Sequence, residues 1–224
     1  MRRVAITTDS FEAAAAWFTA SGLAPVRLPC IRVETAPEQV LGKVRREAAT
    51  ADLVLITSAR TVDVLWSEAP MPTLPVAAVG EATARAVEAA GGRVRFIGSG
   101  GLADLVAELQ TALPLGRVVV PCAAGSDPEP LERIDSDGTE IVPFEVYRTV
   151  PIAPDLEPVD AVAFASPSAV EGWRMSRTLD GLVVGAIGHT TAAAVAGHQP
   201  LVVPSRPSHR SLAESLARFL EVPV

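Results

Sequence analysis

The chain carries an internal repeat that keeps its register at polar residues. Val79-Gly80-Glu81-Ala82-Thr83-Ala84 recurs as Ile187-Gly188-His189-Thr190-Thr191-Ala192, so Gly80 maps onto Gly188, 108 residues later. Leu53-Val54-Leu55-Ile56-Thr57-Ser58 recurs as Ala161-Val162-Ala163-Phe164-Ala165-Ser166 at the same spacing. Apolar runs alone match by chance, because few residue types make a buried strand. A Ser and a Gly-x-x-Thr, each just after such a run and in one register, are a stronger signal. Each marks a strand turning into a helix, which is where α/β proteins bind ligands. Two copies predict two similar lobes with a site in the cleft between them.

The rest of the sequence alternates short β-rich runs with helical patterns. Val4–Thr7, Pro25–Leu28, Leu53–Thr57, Val76–Val79 and Val94–Ile97 read as strands. Phe11–Ala20, the segment through Val62, Leu65 and Trp66, and Ala82–Ala90 read as helices, as does the stretch marked by Leu102, Leu105, Val106 and Leu109. Steady alternation implies parallel sheets wrapped by helices. A composition of 49% hydrophobic but 4% aromatic residues fits such an aliphatic core. The second half replays the order: Val118–Pro121 matches Val4–Thr7, and Glu140–Val142 matches Val26–Leu28, both 114 residues apart.

The copy extends through two proline-bracketed segments, Pro29–Pro37 and Pro143–Pro151, in which Pro29, Thr35 and Pro37 recur at 114. Prolines at both ends exclude helix, and the residues between have strong β propensity with charges interspersed. They read as connectors that pair as an antiparallel ribbon. The expected fold is α/β, two flavodoxin-like parallel-sheet lobes joined by that two-stranded connector. One lobe takes residues 1–30 plus 152–224 and the other 38–142, with 31–37 and 143–151 as connector strands. Two tandem lobes divided near Pro114 is the competing layout.

Net charge is −7, which argues against nucleic acid as a partner. Any anionic ligand would need locally arranged donors. The start, Met1-Arg2-Arg3-Val4, leads into no signal-peptide core. The weakly polar stretch 181–197 is broken by Gly185, Gly188, His189, Thr190 and Thr191, so it is no membrane span. Cys30 and Cys122 stand alone in or beside apolar strands and read as buried reduced thiols. The protein is therefore expected to be cytoplasmic, off the membrane, and monomeric. Three scattered histidines argue against a metal site; His198 and His209 read as surface residues. Gly98-Ser99-Gly100-Gly101 lacks the lysine and the spacing of a phosphate loop. Its copy, Pro204–Arg210, holds Arg206 and Arg210, either of which could reach a carboxylate, although a solvated loop is the plainer reading.

Several segments carry one resemblance: Val146-Tyr147-Arg148-Thr149-Val150-Pro151, Phe164-Ala165-Ser166-Pro167-Ser168-Ala169-Val170 and Ala186-Ile187-Gly188-His189-Thr190-Thr191-Ala192, with Ile56-Thr57-Ser58 and Val79–Ala84 in the first half. Together they resemble the uroporphyrinogen-III synthase family. The resemblance implies an enzyme without cofactor that cyclises hydroxymethylbilane, a linear tetrapyrrole with many carboxylates. Water leaves, ring D is inverted, and uroporphyrinogen III forms. It also implies a substrate received from the preceding enzyme of the pathway. Positioning should matter more there than strong acid–base groups. Two departures stand out: Thr7 is followed by Thr8 and Asp9, and Pro121–Pro128 lacks the family's usual arginine. Those gaps keep a rival open, a non-catalytic two-lobed module binding a small anionic ligand. A nucleotide-using flavodoxin-like enzyme is disfavoured, since no phosphate motif is present.

On this resemblance Tyr147, the chain's single tyrosine, is the candidate for helping the hydroxyl leave, as a hydrogen-bond donor. Ser58, Thr83, Ser166, Ser168, Gly188, Thr190 and Thr191 are the candidates for holding substrate, through hydroxyls and helix N-terminal amides. Each has a plainer reading: Ser58, Ser166 and Thr190 as helix caps, Tyr147 as a packed strand residue. No nucleophile elbow surrounds the serines, and metal ligands are expected to be none.

Overall fold

The computed structural model describes residues 1–99, 101–136 and 138–221. The first half runs β1 (Arg3–Ile6), α1 (Phe11–Ala20), β2 (Ala24–Arg27), β3 (Ile31–Thr35), α2 (Glu38–Ala49), β4 (Leu53–Ile56) and α3 (Ala59–Trp66). It continues with β5 (Pro75–Val79), α4 (Glu81–Ala89), β6 (Arg93–Gly98) and α5 (Leu102–Gln110). The second half holds β7 (Gly116–Ala123), α6 (Glu129–Glu132), β8 (Thr139–Pro151), β9 (Ala161–Phe164) and α7 (Pro167–Arg174). It ends with β10 (Val183–Ala186), α8 (His189–Ala194), β11 (Leu201–Val202) and α9 (His209–Phe219).

Residue type explains the layers. All four residues of β4 and of β9 are buried, as parallel strands covered on both faces must be. Helices carry one apolar stripe: α2 buries Leu41, Val44 and Ala48, and α9 buries Leu212, Ala213, Leu216 and Ala217. Burying Leu212 and Leu216 contributes roughly 1.5–3 kcal/mol each. Gly185 in β10 admits that stripe, since a Cβ there would lie 2.7 Å from Leu216 Cδ1.

The chain divides into two compact units, Met1–Val33 with Thr149–Val224, and Glu34–Arg148. The first unit's sheet has the order β11-β10-β9-β1-β2, and its strands pair in parallel. Ile6, Phe18, Leu23 and Leu212 pack on one side. Cys30, Phe164, Val170 and Trp173 pack on the other, with Phe164 and Trp173 edge to face at 5.9 Å. The second sheet has the order β3-β8-β7-β4-β5-β6. It is parallel from β8 to β6 and becomes mixed by the addition of β3. Leu55, Leu105, Leu109 and Val120 anchor its core.

The two sheets share one plan. Strands equivalent at 108 (β4 and β9, β5 and β10) and at 114 (β7 and β1, β8 and β2) hold the same places. In each sheet the chain reverses its direction of travel between a pair of central strands, β9 and β1 or β4 and β7. One sequence reading is corrected. Glu140–Val142 and the segment from Pro143 form a single strand, because pairing with β7 runs unbroken through Pro143↔Val120. A proline there forfeits one N–H but keeps an extended φ.

Candidate active site

Ser58 and Ser166 end their strands by capping the next helix. Ser58 Oγ accepts from the Arg60 N–H at 3.3 Å, and Ser166 Oγ from the Ala169 N–H at 3.2 Å. Both are half-buried, as is Ser168 in the first turn of α7. Just after β1, Thr7 is fully buried and donates its hydroxyl to the Ala163 carbonyl at 2.7 Å, which ties β1 to β9.

The Gly-x-x-Thr turns behave differently in their two copies. Gly80 sits at φ +82°, a left-handed conformation that favours glycine. Gly188 is extended, and an added Cβ would meet only Pro207 at an ordinary 3.6 Å. Among the described residues nothing demands glycine at 188. Thr83 and Thr191, equivalent at 108, are buried to 5% and 3% exposure. Their side chains pack inward and leave only backbone amides at the helix start. Thr190 is exposed, and it does not cap α8: Gly188 holds the N-cap position with no side-chain bond. The cap expected of Thr190 is absent because that residue already lies inside the first turn.

Tyr147 owes its placement to a β-bulge. Along β7 and β8 the register runs Cys122↔Glu145, then Ala123↔Tyr147, so Val146 is an extra residue. Alternation breaks there, and Val146 and Tyr147 are consecutively buried between exposed Glu145 and Arg148. Bulges re-aim side chains in this way and occur beside active sites. Tyr147 lines a pocket of about 280 Å³ in the second unit, together with Glu34, Thr35, Pro37, Glu145 and Arg148. Among the described residues no hydrogen bond is made by its hydroxyl. Ser58 and Thr83 belong to the same unit but do not line this pocket. Ser166, Ser168, Gly188, Thr190 and Thr191 belong to the other unit.

Arg148 and Glu34 were not singled out in the sequence. The signal was available, since the two stand at equivalent positions 114 apart with opposite charge. A second cavity, about 210 Å³, opens beyond β4 and β7, at the second sheet's reversal point. Thr57, Leu102, Val120 and Leu131 line it, and Asp127, Glu132 and Asp135 stand at it. That acid-rimmed space is poorly suited to a carboxylate.

Burial pushes the Cys30 thiol up to about 12, against an opposing pull from Arg177. Burial also raises Cys122. Both cysteines are buried and free. His198 and His209 are half-buried rather than on the surface: the His198 ring lies 3.0 Å from the Leu182 carbonyl, and burial lowers the His209 pKa. Arg210 pairs with Glu214 at 2.8 Å and lies over Trp17, so it is engaged on its own surface, while Arg206 is exposed. In the glycine loop Ser99 faces Asp104 at 3.4 Å; Gly100 lies outside the described residues. Among the described residues no three His, Cys, Asp or Glu gather as a metal site, and no helix is long and apolar enough to cross a membrane.

A family model described as uroporphyrinogen-III synthase HemD matches residues 12–214. The chain belongs to the uroporphyrinogen-III synthase family. Members of this family are cyclising lyases of haem biosynthesis. Among solved structures, the uroporphyrinogen-III synthetase of Helicobacter pylori is 17% identical, over 98% of this chain and 100% of that one, with a TM-score of 0.69. A mutant uroporphyrinogen III synthase from the extremely thermophilic bacterium Thermus thermophilus is 23% identical over 100% of both chains, with a TM-score of 0.59. At these identities the likeness speaks for the two-lobed α/β fold. No curated protein matches the chain.

Proposed function

We propose that the chain closes hydroxymethylbilane to uroporphyrinogen III and that Tyr147 assists departure of the hydroxyl group. The observation that carries this reading is the bulge at Val146, which turns the chain's single tyrosine into a pocket with its hydroxyl unengaged among the described residues. A phenol so held can donate a hydrogen bond to a leaving oxygen. The electrophile left behind is then attacked by the terminal pyrrole, so the remaining task is holding a flexible chain in a bent shape. Ser166, Ser168, Gly188, Thr190 and Thr191 are proposed to hold substrate carboxylates, with Ser58 and Thr83 as their counterparts. For Thr83 and Thr191, whose side chains are buried, this role falls to the helix-start amides. The protein is read as a cytoplasmic monomer that takes its substrate from the preceding enzyme of the pathway.

The deciding experiment supplies freshly made hydroxymethylbilane and resolves the isomers formed. Isomer III appearing faster than spontaneous closure is expected. Isomer I alone, at the spontaneous rate, overturns the reading.

A further inference from the structure

Between β3 and β8 the repeat pairs with itself. Glu34 and Arg148 are equivalent positions, and Arg148 Nε donates to Glu34 Oε2 at 2.7 Å. Nη2 of Arg148 meets the same oxygen. Glu34 therefore holds one edge of the guanidinium and leaves Nη1 outside the bond. A guanidinium has five N–H donors in a fixed fork, so one carboxylate on its edge does not exhaust it.

The pair is poorly placed to stabilise the fold. The Arg148 side chain is 67% exposed, and exposed ion pairs contribute only about 0–1 kcal/mol. Its location is more telling: among the described residues, Arg148 is the one cation lining the Tyr147 pocket. Glu145 shares that pocket, with Oε1 accepting the Gly125 N–H at 3.0 Å. Two acids against one arginine cannot hold a cluster of carboxylates. A single one can be taken only by the N–H groups of Arg148 turned away from Glu34.

We propose that Arg148 binds one carboxylate arm of the substrate beside Tyr147, and that Glu34 is a positioning residue that fixes the guanidinium. The inference rests on the cyclase reading of the same pocket and deepens it, by naming what anchors the substrate next to the phenol. Bidentate recognition of carboxylates is the task for which arginine is better shaped than lysine.

The test titrates the protein with uroporphyrin III, a macrocyclic polycarboxylate followed by its own fluorescence, alongside kinetics on hydroxymethylbilane. Arg148→Gln should bind the porphyrin about tenfold more weakly, the worth of one charge-assisted hydrogen bond. It should raise KM with kcat changed less, and melt within about 2 °C of the parent. Arg148→Lys should recover part of the affinity, and Glu34→Gln should weaken binding less than Arg148→Gln does. Unchanged porphyrin affinity in Arg148→Gln overturns the proposal, whatever the activity. Arginine-dependent binding in a parent that makes no isomer III would instead sink the cyclase reading and leave the subsite standing.

Discussion

Ser58 and Ser166, 108 residues apart, cap the helices that follow equivalent strands, each hydroxyl accepting a backbone N–H of its own first turn. Capping and ligand binding are separable because aspartate caps as well as serine does. Replacing either serine with alanine should cost about 1 kcal/mol of stability, read by denaturant unfolding. Ser166→Asp should keep the melting temperature but weaken substrate binding by placing a second anion near the carboxylate. If Ser166→Asp leaves KM unchanged, Ser166 is a cap and nothing more.

Tyr147→Phe removes a hydroxyl that makes no hydrogen bond among the described residues, so stability should hold while isomer III formation slows by about tenfold or more. Deleting Val146 tests the same point through the backbone. Without the extra residue Tyr147 still pairs with Ala123 but loses the local bend and twist that the bulge imposes, and activity should drop toward that of the phenylalanine variant. Full activity in Tyr147→Phe would remove the phenol from the mechanism.

Gly172 in α7 packs against the backbone where the chain enters the first connector and leaves the second. A Cβ there would lie 2.0 Å from the Cys30 carbonyl oxygen and 2.6 Å from that of Ile152. Those two segments are themselves tied, with the Ile152 N–H donating to the Cys30 carbonyl at 2.9 Å. Backbone on both sides cannot yield, so Gly172→Ala should destabilise the protein by about 3 kcal/mol or more. Gly181→Ala, with nothing within 4 Å of the added carbon but a φ of +75°, should cost about 1 kcal/mol. Equal urea midpoints for the two variants would contradict this packing.

The fold was more legible than the site. Helix α1 matches its reading over Phe11–Ala20, because an alanine run ended by Gly22 leaves little choice. Strand β4 was evident because only a doubly covered strand tolerates four consecutive aliphatics. The break placed at Pro143 failed, since a proline's effect depends on whether a neighbouring strand needs its N–H. The inward turn of Thr83 and Thr191 was hidden for a related reason: helix phase follows from how the helix leaves its strand. The bulge at Val146 carries no glycine to announce it. The Glu34–Arg148 pair was written in the 114-residue offset, but its meaning needed β3 and β8 to be neighbours.

His209 begins α9 half-buried, and burial lowers its pKa from the ordinary 6.5. The unfolded chain exposes this imidazole and takes up a proton near 6.5, while the folded chain resists until a lower pH. Between those two values the unfolded state binds more protons, so stability falls as the solution is acidified. Below the folded value both states are protonated and the loss stops growing. His209→Gln removes this component and leaves the carboxylates and the other two histidines as before. Unfolding free energies measured in urea at pH 7.5 and 5.5 should therefore differ less in His209→Gln than in the parent. Equal differences in the two proteins would mean that the folded imidazole is as easily protonated as the unfolded one.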